Sequence, residues 1–197
     1  MFRAGAKKSC IAAGSMMSVV VHRDRVYAAE SRYAQPVVLR VFTYNNNSSD
    51  DTNSSSSSSN SSSSDICWQQ VASFELSVMA WITLSVVAGD RVTCCSSSER
   101  QVVLYSLPSG QPLTTHGTRG SGGGAGQLDL PFVSDDDDSG SVLIADCHND
   151  RLQVMSEQGE FSLLQLQPPV SRPRSALLFD EHLFVTSRDK HAIYKYA

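Results

Sequence analysis

Short apolar runs separated by polar turns recur from residue 17 to the end of the chain. The first is 17–21 (MSVVV), where consecutive β-branched valines favour an extended backbone. His22, Arg23 and Asp24 form a polar turn, 26–29 a second strand, 30–35 another polar stretch, and 37–44 (VVLRVFTY) a third strand. The pattern resumes at 68–76, 81–87, 91–95 and 101–107, with turns at 88–90, 96–100 and Pro108-Ser109-Gly110. Residues 116–126 read as loop, 130–133 as strand and 135–140 (DDDDSG) as an acidic hairpin tip. From 141 to 159 a short apolar strand, a polar turn, an alternating strand and a Gly turn follow. Strands at 175–179, 183–186 and 193–196 close the chain, and 2–13 reads as an edge strand. No stretch sustains a 3.6-residue period, so no helix is predicted and the class is all-β.

Residues 45–65 (NNNSSDDTNSSSSSSNSSSSD) contain no apolar side chain. Such a tract buries nothing to offset its ordering entropy, and it reads as a disordered insertion that a sheet tolerates at small closure cost. Its Asn-x-Ser sequons at Asn46, Asn47, Asn53 and Asn60 read as unused, and its serines are candidates for phosphorylation.

Four copies of one strand and the turn after it align: 26–31 (VYAAES), 92–97 (VTCCSS), 142–147 (VLIADC) and 183–188 (LFVTSR). Taking Ala29, Cys95, Ala145 and Thr186 as anchors, the spacings are 66, 50 and 41, and removing the 21-residue insertion brings the first to 45. A period of about 40–45 with four short strands per unit marks β-propeller blades. The third copy, GSGGGAGQLDLPF at 120–132 followed by VLIADCHNDRLQVM at 142–155 and Gly159, resembles the NHL repeat. Asp146, Asn149, Arg151 and Val154 fall at the positions characteristic of that repeat, while Ser96 and Ser187 replace Asp146 in two of the degenerate copies. The resemblance implies a partial or small propeller of about four NHL-like blades over 16–197, each an antiparallel meander, preceded by an N-terminal segment 1–15. It makes Asp146 and Arg151 structural, pairing across the turn. Because NHL propellers generally have more blades, it also implies self-association or missing blades to close the ring.

Composition narrows the function classes. Residues 1–44 carry seven Lys/Arg against Asp24 and Glu30, a net of +5, whereas the remaining nine basic and 18 acidic residues give −9. Overall acidity opposes general nucleic-acid affinity. Five cysteines (Cys10, Cys67, Cys94, Cys95, Cys147) form no framework, and Cys94 and Cys95 point to opposite faces of one strand, so reduced thiols and a cytoplasmic location are expected. No apolar run is long enough to span a membrane and no signal-peptide core is uninterrupted. The Gly-rich 120–126 leads into a strand rather than a helix and lacks the Lys-Ser/Thr of a phosphate loop. Cys147 and His148 lack a second ligand pair, and Asp135–Asp138 lack the spacing of a calcium loop, so no metal or cofactor is expected. No nucleophile arrangement appears, so no catalytic residue is assigned and the chain is not expected to be an enzyme.

What remains is a surface. The turns between second and third strands, at 30–35, 96–101, 146–151 and 187–192, fall on one face of such a propeller and carry Arg32, Tyr33, Arg100, His148, Asn149, Arg188, Lys190 and His191. The insertion and the acidic tip fall on the opposite face. The expected activity is protein–protein interaction. The NHL resemblance extends this to substrate recognition in a ubiquitin-ligase context, with RNA binding as the alternative and a propeller-fold lyase or lactonase behind both.

Overall fold

In the computed structural model the described residues are 15–31, 35–45, 67–78, 82–87, 90–119, 123–136 and 140–197. Among them the regular structure is strand, apart from one 3₁₀ turn at Cys147–Asn149. The first sheet is β1 (Ser15–His22), β2 (Arg25–Ser31), β3 (Val37–Asn45) and β4 (Cys67–Leu76). The second is β5 (Ile82–Val87), β6 (Arg91–Ser96), β7 (Gln101–Ser106) and β8 (Pro112–His116). A two-residue parallel pairing of β9 (Thr118–Arg119) with β10 (Gln127–Leu128) then ties down the connecting loop. The third sheet is β11 (Pro131–Asp136), β12 (Val142–Asp146), β13 (Arg151–Met155) and β14 (Phe161–Leu164). The fourth, β15 (Pro173–Phe179), β16 (His182–Ser187) and β17 (Ala192–Tyr196), has three strands among the described residues.

Every larger sheet is an antiparallel meander in chain order. The first strands pack on one another in sequence, β1 on β5, β5 on β11 and β11 on β15, so they line the inside and later strands lie progressively outward. The chain is a small four-bladed β-propeller. Each repeat anchor holds the same place in its blade: Ala29 pairs with Leu39, Cys95 with Val102, Ala145 with Leu152 and Thr186 with Ile193. Three apolar cores lie between successive blades. The second strands β6 and β12 are buried on both faces, which explains their unbroken apolar runs.

Several boundaries differ from the sequence expectation. β8 and β14 were not predicted, because outer strands are largely exposed and carry little apolar signal, and the two-residue pair β9 and β10 is too short to leave one. β11 extends into the acidic stretch as far as Asp136, so the tip is shorter than expected. Asn45 pairs with Cys67 and therefore belongs to β3, not the insertion, and Ser15 already begins β1. The edge strand expected at 2–13 and the bulk of the 45–65 insertion lie outside the described residues.

Candidate binding face

The turns from second to third strands and the interblade loops share one end of the propeller, because they are bonded to each other. His148 N–H donates to the Asp129 carbonyl (3.0 Å) and Arg188 N–H to the Arg172 carbonyl (2.9 Å). Ser97 Oγ donates to the Pro131 carbonyl (2.7 Å) and Ser187 Oγ to the Ser171 carbonyl (2.6 Å).

Asp146 anchors this end in the third blade. Its carboxylate is fully buried and accepts from the Asp129 N–H (2.8 Å), Asn149 Nδ2 (2.8 Å), Arg151 Nε (3.0 Å) and Gln153 Nε2 (2.9 Å). Arg151 uses Nη2 to reach the carbonyls of Gly124 (2.9 Å) and Gln127 (2.8 Å), while the Gly126 N–H donates to Gln153 Oε1 (2.9 Å). One buried charge thus fixes both the turn and the Gly-rich loop entering the blade. Asn149 is absorbed into this network. In the first blade Glu30 stands at the place of Asp146 and Arg40 at that of Gln153, paired at 2.8 Å. In the fourth, Ser187 donates to Asp189 Oδ1 (3.1 Å). Asp189 is partly desolvated, which opposes ionisation, but hydrogen bonds from Ser171 and Ser187 and the nearby Lys190 hold its carboxyl below the usual range.

Two groups of basic side chains sit over this framework. At the boundary of blades two and three, Arg100, left-handed at φ 59°, places Nη2 at 3.1 Å from Asp129 Oδ1, and His148 Nδ1 lies at 3.4 Å from the same oxygen. That buried oxygen has no aligned hydrogen bond among the described residues, so Arg100 holds it by charge rather than by a directed bond. At the boundary of blades three and four, Arg188 hydrogen-bonds the Cys147 thiol, and the charges of Arg174 and Arg172 also act on it. Burial pushes the Cys147 thiol up, and these three guanidinium groups pull it back only in part. Arg174 stacks over the Phe132 ring at 3.9 Å. Lys190 and His191 are exposed beside them. The eight residues expected on the face therefore divide. Arg100 and His148 meet through Asp129, Asn149 is held by Asp146, Arg188, Lys190 and His191 share the fourth blade, and Arg32 and Tyr33 lie outside the described residues. Sequence reasoning missed Arg172 and Arg174, although Arg172-Pro173-Arg174 is a basic run leading into a strand.

On the opposite end, a cavity of about 770 Å³ lies between blades three and four, lined by Leu143, Val154, Leu164, Leu166, Leu183 and Tyr196. Among the described residues no group of three or more His, Cys, Asp or Glu side chains is arranged to hold a metal ion. Nor is any helix there long and apolar enough to cross a membrane.

No protein-family model matches the chain, and no curated protein matches it in sequence. Solved structures do resemble it in fold. The computationally designed Ika4 protein superposes with a TM-score of 0.55 at 9% identity, covering 93% of this chain and 91% of its own. A virginiamycin B lyase from Staphylococcus aureus superposes at 0.57 with 11% identity, over 92% of this chain and 55% of the lyase. A protein of unknown function from Bacteroides caccae superposes at 0.62 with 11% identity, over 91% of this chain and 62% of that one. The chain thus spans about half the length of the lyase, and at these identities the likeness is one of fold.

Proposed function

We propose that this propeller is a non-catalytic scaffold that binds an acidic segment of a protein partner on its basic end. The observation that carries this reading is the clustering of Arg172, Arg174 and Arg188 at one end, where the Arg188 N–H to Arg172 carbonyl bond joins their loops and Arg174 stacks on Phe132, with Lys190 and His191 exposed in the same turn. Guanidinium forks favour carboxylates, and a face assembled on hydrogen-bonded turns is pre-organised for them. Protein is favoured over RNA because the chain is acidic overall, with a net charge of −4, which opposes general affinity for a phosphate backbone. Substrate selection for a ubiquitin ligase is the finer form that the NHL-like third repeat suggests, with the catalytic part of the ligase on another polypeptide or domain. The buried free thiols Cys94, Cys95 and Cys147 fit a reducing, cytoplasmic setting.

The test is fluorescence anisotropy of the whole chain with a labelled Asp/Glu-rich peptide, a labelled basic peptide and a short single-stranded RNA. Binding of the acidic peptide is expected, and Arg172→Glu with Arg188→Glu is expected to weaken it at least about tenfold, one factor of ten being 1.4 kcal/mol. Tighter binding of the RNA, collapsing with salt, replaces the protein reading. Indifference to both substitutions removes this face as the site.

A further inference from the structure

Repeats allow each position in a blade to be compared with its counterparts. In the first strand, Val19 pairs with Ala28 as Leu84 pairs with Cys94, Val133 with Ile144 and Ala176 with Val185. Leu84, Val133 and Ala176 are 2–6% exposed, yet Val19 is 54% exposed. In the third strand, Ile193 corresponds to Leu39, Val102 and Leu152. Those three are at most 1% exposed, whereas Ile193 is 71% exposed. The counterparts also meet each other. Leu39 and Leu84 share the core between blades one and two, Val102 and Val133 that between two and three, and Leu152 and Ala176 that between three and four. A fourth contact of this kind, Ile193 against Val19, is missing within one chain. Among the described residues, inner-strand packing runs from β1 through β5 and β11 to β15, with no comparable packing of β15 on β1. Exposed Val21 on the first blade and Leu177 and Phe179 on the fourth extend the same two bare surfaces.

We infer that a second copy of this chain closes the ring, with the outer face of blade four in each copy seated on the outer face of blade one in the other. The two faces are complementary by construction, since each is the surface that internal blades use for the neighbour on that side. One two-fold axis satisfies both at once: Ile193 meets Val19 of the second copy, and Val19 meets its Ile193, the reciprocity of an isologous pair. Two copies make eight blades, within the four to eight that propellers use. Alongside the Glu30–Arg40 pair on the first face and Lys195 on the fourth, the bare surface exposes valine, isoleucine and phenylalanine that bring no benefit to a lone arc.

Sedimentation equilibrium of the whole chain tests this. The expected mass is twice the 21.4 kDa of one chain. Val19→Lys or Ile193→Glu alone is expected to weaken the dimer at least about tenfold, with the circular dichroism spectrum unchanged because both sites are exposed. Leu113→Glu, on the exposed outer strand β8, should leave the mass unchanged. Mixing the Val19→Lys and Ile193→Glu proteins is the decisive arm. Their heterodimer has one interface with Lys against Glu and one with both native residues, so the mixture should recover the dimeric mass. A wild-type monomer at high concentration, rings or filaments larger than a dimer, or a mixture that stays monomeric each overturns the proposal.

Discussion

Asp146 has no exposed surface, and four donors from four different residues converge on its two oxygens. Removing the carboxylate strands the Arg151 guanidinium, which is itself largely buried, together with the Asp129 N–H and the Asn149 and Gln153 amides. Breaking a buried pair from one side costs about 3–5 kcal/mol, so Asp146→Ala is expected to lower unfolding free energy in urea by that amount. Ser187→Ala is the contrast: at the same blade position it loses only uncharged-donor bonds, and about 1 kcal/mol is expected. Equal losses at the two sites would mean that water replaces the Asp146 network. The pairing of Asp146 with Arg151 was legible only through the resemblance of the third copy to the NHL repeat, and the two do meet across one hairpin turn. Gln153 and Asp129 were not legible. Gln153 reaches the carboxylate from the next turn of the strand pleat, and Asp129 arrives from an interblade loop whose path depends on how blades two and three dock.

The blades repeat not only their strands but one tight contact between them. Gly110, in the turn from β7 to β8, lies against the Phe74 ring of blade one, and Gly159, in the turn from β13 to β14, lies against the His116 ring of blade two. Phe74 and His116 are counterparts, paired with Leu39 and Val102 in their own sheets. Both glycines have left-handed backbones, φ 68° and 86°, and a Cβ at either would overlap the facing ring. Gly110→Ala and Gly159→Ala are each expected to cost about 1–3 kcal/mol by crowding a packed contact, read from thermal or urea unfolding. Gly123→Ala, which nothing crowds, should stay within about 0.5 kcal/mol. If all three behave alike, the outer turns are looser than their geometry implies. Inner and middle strands were legible because both faces are apolar. The outer strands β8 and β14 were hidden because solvent takes one face and polar residues follow. The bulges at Met17, Ser134 and Arg174 were hidden too, since an extra residue in an inner strand leaves the run of strand-forming residues intact.

Across the whole molecule, each of the three internal blade interfaces contains one buried thiol: Cys94 between blades one and two, Cys95 between two and three, and Cys147 between three and four. The adjacent pair Cys94 and Cys95 serves two different cores because neighbouring residues in a strand face opposite ways. Burial raises all three thiols above the ordinary 9.0, with the adjacent Cys95 thiol and the Glu99 carboxylate adding to the effect at Cys94 and Asp146 at Cys95. A backbone hydrogen bond at Val133 offsets part of the rise at Cys95. These groups stabilise the fold fully below pH 9, where the unfolded chain also keeps its thiols protonated. Above pH 9 the unfolded chain releases protons that the folded chain retains, so stability falls as pH rises toward the folded values. Each thiol still protonated in the fold contributes a slope of about −1.4 kcal/mol per pH unit. The urea midpoint is therefore expected to drop between pH 8 and pH 10. Changing Cys94, Cys95 and Cys147 singly to Ala should flatten the slope stepwise, whatever each substitution does to stability at pH 8. Lysine and tyrosine titrations are common to all four proteins and cancel in the comparison of slopes. An unchanged slope in the Cys95→Ala protein would show that the interface between blades two and three admits water. The chain would then behave as separate meanders rather than as one packed arc.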